Sequence, residues 1–521
     1  MMIKKTLYFL IVLSYGLLIR AQAPPSYTNV TFGQPIRQNT VYSIKEKYNQ
    51  YYTLSVNALV NTPWEMDLYT LNLGGSIINH KNIAINNKSI GVFSNSVLNF
   101  NDIDSTIYIA CEVYDDYTGG TAPHPHGMLW KLNKNLDTLW HKTYVNTNDS
   151  AIILAGCITV NNGIIMYGQS AQFDLYGDAF IIKVDFNGNE LWRKTFQIPN
   201  KIGSINKLIK TKDSCYVAVE NLLDYPAWGY SDIKLTKYDT AFNIKWQRII
   251  NTPYLDDLGD MIELSDSNLV VSSGYCVSQF NAPWGTNYNK QCLTKINNHT
   301  GATIWQKLYG TARADIQLYN VLETPSKKLM ALGVMGTAYA VKPSGTQIGT
   351  MLVANQYGDS LNYQETFSDS TSQTNYLYDL APTTNGYYCV GQTSLPVYTG
   401  TTVSSYETQN WLVKADTNGC FNPNCVLDVS VNELSFNNEK GFWLYPNPSN
   451  TIVNIQLPKP IDKFDNTNYL ILYDATGIEI LNQPIYHQNF SLDVSTFAKG
   501  FYMATITKGN IILYTHKLMI N

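Results

Sequence analysis

Several groups of residues in this 521-residue chain have types and spacings that could do chemistry. His124-Pro125-His126, preceded by Asp115 and Asp116, is the one histidine cluster, and imidazoles beside carboxylates can ligate a metal. Such a site needs three ligands converging on one point, and Pro123 and Pro125 mainly signal a turn. Asp-x-x-Gly turns such as Asp185-Phe186-Asn187-Gly188 offer side-chain and carbonyl oxygens suited to Ca²⁺. A tight turn needs the same residues for backbone reasons, so Ca²⁺ stays open and no other cofactor is expected. Cys420 and Cys425 flank Phe421-Asn422-Pro423-Asn424, a span that a short disulfide could clamp. Trp64, Trp228 and Trp284 stand in Pro/Gly-rich connections, where rings can stack on a sugar face or simply pack the loop down.

Other chemistries lack their residues. The formal net charge is -4, and beyond the first few residues there is no Lys/Arg run of the kind a phosphate backbone requires, so nucleic acid is not an expected partner. No nucleophile elbow, P-loop or HExxH pattern occurs. An enzyme is therefore the minority expectation.

The elements that would position these residues begin with a leader. Lys4-Lys5, an apolar stretch from Leu7 to Ile19 and Ala21-Gln22-Ala23 read as a signal peptide over residues 1–23. Tyr15, Gly16 and Arg20 interrupt a core already too short to span a bilayer, and no later segment is expected to cross one. Charged residues are only 15% of the chain against 45% hydrophobic, with 38 tyrosines, a balance that suits β-structure and argues against disorder. Most of the eight cysteines, such as Cys111, Cys215 and Cys389, lie singly in apolar strand-like runs and read as small buried hydrophobes.

A hairpin recurs along the chain: KLNKNLDTLWHKTY, KVDFNGNELWRKTF, KYDTAFNIKWQRII and KINNHTGATIWQKLY. Trp140, Trp192, Trp246 and Trp305 follow Lys131, Lys183, Lys237 and Lys295 by nine or ten positions, and a cation stands two places beyond each Trp. The period of two predicts an outgoing strand, an Asp/Asn/Gly turn, and a return strand carrying Trp inward and the cation outward. A second hairpin alternates with it, as in CITVNNGIIMYGQ and MIELSDSNLVVSSGY. Two hairpins per unit make a four-stranded blade, and seven copies of each predict an all-β, seven-bladed β-propeller over residues 24–425, with six or eight blades left open. The turns also resemble the Asp-box of sialidases and, in Thr300-Gly301-Ala302-Thr303-Ile304-Trp305, the repeat of quinoprotein dehydrogenases. Both are structural repeats in those families.

After a linker at 426–440, residues 441–521 alternate apolar strands with Pro-Asn-Pro, Thr-Gly and Lys-Gly turns, which predicts a small Ig-like β-sandwich. Tyr445-Pro446-Asn447-Pro448, Tyr473-Asp474 with Gly477, Gly500-Phe501-Tyr502 and a last strand with Lys517 closely resemble the type A C-terminal sorting domain of the type IX secretion system of Bacteroidetes-type bacteria. Phe501 stands where Ile or Val is more usual. The resemblance implies export across the outer membrane by the type IX machinery, removal of the domain by a sorting peptidase, and release or attachment to a surface glycolipid. The sequence thus predicts a secreted or outer-membrane surface-attached propeller that binds an extracellular glycan, peptide or protein. A secreted hydrolase with an active site on one propeller face, and a passive structural protein of the surface, are the alternatives.

Overall fold

A computed structural model describes residues 28–521, apart from 34–36, 59–61, 116–124, 146–150, 173–175, 225–230, 251–256, 281–285, 314–315, 337–345, 400–401, 424, 426–441, 458–467, 475–477 and 509–510. The expected signal peptide and linker lie outside the described residues. Among the described residues all regular structure is β, and no helix is long and apolar enough to cross a membrane. The chain divides into two compact units, Met1–Asp428 and Val429–Asn521.

Seven antiparallel sheets follow one another in the first unit. The first comprises Gln38–Lys47, Gln50–Ala58, Glu65–Leu71 and Ile77–Ile83, paired in chain order, and the other sheets repeat this meander. Their leading strands are Lys88–Gly91 with Leu98–Asn101, then Ala151–Val160, Lys201–Lys210, Asp257–Glu263, Gln317–Glu323 and Asn375–Thr383. The last sheet is completed out of order. Asn29–Phe32 pairs antiparallel with Thr402–Ala415 as its outer strand, and Trp411 Nε1 donates to Asn29 Oδ1 at 2.7 Å.

A single sheet cannot bury both its faces, so each packs on the next. One apolar core lies at each junction, and the cycle closes where Val41, Ile44 and Tyr51 of the first sheet meet Tyr388, Val390 and Leu412 of the seventh. The recurring tryptophans sit half-buried at these junctions. Trp140 lies over Gly188 in the turn of the following sheet, and Trp246 lies over Gly301 in the same way. At Gly188 φ is +77°, and an added Cβ would come within 2.8 Å of the Trp140 ring, so both backbone and packing exclude a side chain there. The cation beyond the Trp ties the same neighbours together: Lys142 Nζ donates to Asn189 Oδ1 at 2.9 Å, and Lys194 Nζ to the Ala241 carbonyl at 2.8 Å.

The lysine that opens the repeated hairpin turns inward in three of its four copies, and Lys183 is half-buried. Lys131, Lys237 and Lys295 are buried and reach Asp104, Asp213 and Asp266, each in the turn between the first two strands of the same sheet. The repeated Lys therefore fastens the two hairpins of one sheet to each other. Carbonyl and carboxylate partners make that burial tolerable.

The second unit has a three-stranded sheet of Trp443–Tyr445, Ile452–Gln456 and Asn489–Asp493. Facing it is a four-stranded sheet in the spatial order Glu479–Pro484, Asn468–Asp474, Gly500–Lys508 and Ile511–Ile520. Leu444, Val453 and Ile455 from one sheet share a core with Leu470, Leu472, Ile506 and Leu518 from the other.

Candidate functional site

Six of the seven leading strands carry a β-bulge at a corresponding place, and the residues squeezed out of register are Tyr42, Ala155, Asn206, Gly259 with Asp260, Tyr319 and Tyr378. A bulge bends the strand and re-aims a side chain. All of these except Asp260 line a single cavity of about 470 Å³ to which every one of the seven sheets contributes. The second sheet contributes differently. Its leading strand is split into Lys88–Gly91 and Leu98–Asn101, both paired with Thr106–Asp115, and the intervening segment carries Phe93, Ser94 and Asn95 into the cavity lining.

Beside the cavity lies a polar network that ties the leading strands together. Asp379 is fully buried; its Oδ2 accepts from the Ile44 amide at 2.9 Å and from Lys45 Nζ at 2.8 Å, and its Oδ1 accepts from Asn320 Nδ2 at 2.9 Å. Burial pushes the Asp379 carboxyl above its ordinary range, with Lys45 opposing the shift. Lys207 Nζ bridges Asp260 Oδ1 at 2.8 Å and Ser96 Oγ at 2.9 Å. Asn95 Nδ2 reaches across to the carbonyls of Tyr319 and Tyr378 at 3.3 and 3.2 Å. These bonds link the first, second, sixth and seventh sheets with one another, and the fourth and fifth with the second.

The wall is aromatic. Tyr378 stacks on Tyr42 with centroids 5.2 Å apart and meets Tyr319 edge-on at 5.0 Å, Tyr42 touches Phe93 at 6.3 Å, and Trp64 stands behind Phe93 and Tyr114 at 5.9 and 6.1 Å. Burial raises the Tyr42 phenol to about 12. Where this band ends, Tyr114 Oη donates to Glu112 Oε2 at 2.5 Å. Glu112 is only 2% exposed, and loss of water pushes its carboxyl up to about 7, while the Tyr114 hydrogen bond pulls the other way. The Tyr114 phenol is raised by its own burial and by that carboxylate. The site thus pairs ring surface with one carboxyl that changes protonation near neutrality.

Trp64 is the expected ligand-contact tryptophan that reaches this place, as support for the wall. Trp228 and Trp284 lie outside the described residues, as do Asp116 and His124. His126 opens the strand His126–Leu132. Among the described residues no group of three or more His, Cys, Asp or Glu could hold a metal ion. The Asp185 carboxylate is taken up by its own turn, accepting from the Asn187 and Asn189 amides at 2.9 and 2.8 Å and from Asn189 Nδ2 at 2.9 Å. A disulfide joins Cys420 and Cys425. Sequence reasoning missed Tyr42, Phe93, Glu112, Tyr114, Tyr319 and Tyr378. A signal existed in the aliphatic-Tyr-polar triplets Val41-Tyr42-Ser43, Leu318-Tyr319-Asn320 and Leu377-Tyr378-Asp379.

In the second unit the motif residues mostly secure the last strand. Asn447 Nδ2 donates to the Lys517 carbonyl at 2.6 Å and its Oδ1 accepts from the Met519 amide at 2.9 Å, so one side chain imitates a paired strand. The Tyr445-Pro446 and Asn447-Pro448 peptides are cis. Tyr502 Oη donates to the Ala498 carbonyl at 2.7 Å, Asp474 Oδ1 accepts from the Ile478 amide at 3.0 Å, and Lys517 lies 4.0 Å over the Phe501 ring. Gly500 has φ +152° at the head of its strand, and Gly477 lies outside the described residues.

Residues 443–521 match the family described as the secretion system C-terminal sorting domain. The chain is accordingly a type IX-sorted protein, secreted or attached to the cell surface. No curated protein matches the chain. Among solved structures it is similar to an ulvan lyase from a new family of polysaccharide lyases, with TM-score 0.50 and 8% identity, over 74% of this chain and 96% of that one. It is also similar to PorZ, a surface component of the type IX secretion system of Porphyromonas gingivalis, with TM-score 0.34 and 10% identity over 92% and 75% of the two chains. A subtype N10 neuraminidase-like protein of the strain A/little yellow-shouldered bat/Guatemala gives TM-score 0.35 and 9% identity over 74% and 98%. At such identities the lyase likeness speaks for the propeller-like fold and for nothing further.

Proposed function

We propose that this chain is a seven-bladed β-propeller at 24–425, exported behind a signal peptide at 1–23 and sorted by an Ig-like sandwich at 441–521, and that it binds an extracellular ligand in the cavity on the ring axis. The blade count rests on seven sheets joined by a closed cycle of apolar cores. The binding reading rests on one observation. Bulges in six leading strands, and the split leading strand of the second sheet, all aim residues into one cavity of about 470 Å³, within the roughly 300–1,000 Å³ of small-molecule sites. A purely structural ring has no need to interrupt each leading strand at the same height.

The test is binding of a mixed panel of oligosaccharides and peptides to the full-length protein and to Phe93→Ala, with thermal unfolding to check that the variant folds. Phe93 is 49% exposed, so its loss should spare the fold. Binding that Phe93→Ala weakens supports the axial site, and binding indifferent to it refutes the site. The Glu112–Tyr114 pair favours a second reading, proton transfer to a bound substrate. Product formation abolished in Glu112→Gln would establish it.

A further inference from the structure

We propose that the axial cavity takes an uncharged sugar, the terminal one or two units of a neutral extracellular glycan. This rests on the axial cavity being the ligand site, and it names the class of ligand.

Five aromatic residues line the wall: Tyr42, Phe93, Tyr114, Tyr319 and Tyr378 come from four of the seven sheets, Phe93 from the segment that splits the leading strand of the second. The C–H face of a pyranose buries apolar surface against such rings without stranding its equatorial hydroxyls, which point to the rim. The polar groups between the rings suit hydroxyls. The Asn206 side-chain oxygen is buried at the cavity without a protein partner, and a sugar hydroxyl can donate to it. Ser94 and Ser204 add hydroxyls to the lining.

Charge decides between neutral and acidic sugars. The ionisable carboxyl on the lining belongs to Glu112, so an anionic ligand would approach a like charge. The nearest ammonium groups are already committed, Lys45 to Asp379 at 2.8 Å and Lys207 to Asp260 at 2.8 Å. Drawing either lysine toward a uronate would leave a buried carboxylate unpaired, which costs more than the new contact returns. A neutral sugar carries no such penalty and can accept a hydrogen bond from Glu112 when that carboxyl is protonated. The volume, toward the small end of the usual range, admits a chain end more readily than a continuous polymer.

Titration calorimetry of the full-length protein tests this with neutral probes (cello-, manno-, xylo- and chito-oligosaccharides), acidic probes (oligogalacturonate and oligomannuronate) and a short peptide library. The expected result is binding of at least one neutral probe, weakened about tenfold or more in Phe93→Ala, the loss typical of a central contact. Asn206→Leu carries the same expectation, so a folding defect in one variant leaves the other to decide. Ile103→Ala, 83% exposed and outside the cavity lining, should leave affinity unchanged. If only acidic oligosaccharides or peptides bind, with the same sensitivity to Phe93→Ala, the neutral-sugar assignment falls while the axial site stands. If no probe binds, or binding ignores both lining variants, the assignment and the site fall together.

Discussion

Replacing Glu112 with Gln isolates the consequence of burying one carboxyl in the wall of the cavity. In the unfolded chain this group titrates near 4.5, and in the folded protein burial raises it to about 7. Below pH 4.5 both states hold the proton and the residue is indifferent to folding. As pH rises from 4.5 toward 7 the unfolded chain releases the proton while the folded chain retains it, so stability falls through this window and then levels off. At roughly 1.4 kcal/mol per pH unit, the displacement from 4.5 to about 7 corresponds to about 3 kcal/mol lost by pH 8. Gln keeps the shape and still accepts from Tyr114, but it never ionises. Urea unfolding of both proteins across pH 4 to 8 should give equal stabilities at the acid end, and Glu112→Gln should be more stable by up to about 3 kcal/mol at the alkaline end. A difference that does not change with pH, or a variant weaker at pH 8, would refute the reasoning. Tyr114→Phe removes the hydrogen bond that favours the charged form and should extend the fall in stability to higher pH.

Asp379→Ala should destabilise the first unit by roughly 3–5 kcal/mol in urea unfolding, because it leaves Lys45 and Asn320 without their buried partner at the junction of three sheets. Gly188→Ala should cost at least about 1–2 kcal/mol from its φ of +77° alone, with more from collision with Trp140, whereas Asn187→Ala at the neighbouring turn position should cost less. Deleting residues 29–32 removes the strand that completes the seventh sheet and exposes the edge of Thr402–Ala415; calorimetry should show a lower, broader transition, and light scattering some self-association. Asn447→Ala should raise hydrogen exchange at the Met519 amide, and removal of residues 443–521 should abolish delivery to the cell surface in fractionated cells.

Much of the architecture was legible because it depends on local, periodic signals. The Lys-to-Trp spacing is a hairpin spacing, and it predicted the outer half of the second to fifth sheets. Burial of the repeated Lys was less visible: Lys237 is 1% exposed, with its carboxylate partner 24 residues away in another turn. The sorting-domain motif was readable because a few residues of fixed type close the last strand, as Asn447 does with Lys517 and Met519.

The cavity was barely legible, because its one local signal, the aliphatic-Tyr-polar triplet, does not say which triplets meet. Tyr42, Tyr319 and Tyr378 each sit in an ordinary apolar strand, separated from one another by as much as 336 residues of chain. Periodicity by itself determined that this protein is a chain of four-stranded β units with a sandwich at its end, since alternation and turn chemistry act over a few residues. Only closure of the ring decided which bulged residues meet on the axis and where the Asp379 carboxylate finds its cation. It also decided that Glu112 loses its water, because desolvation and convergence belong to surfaces brought together from distant parts of the chain.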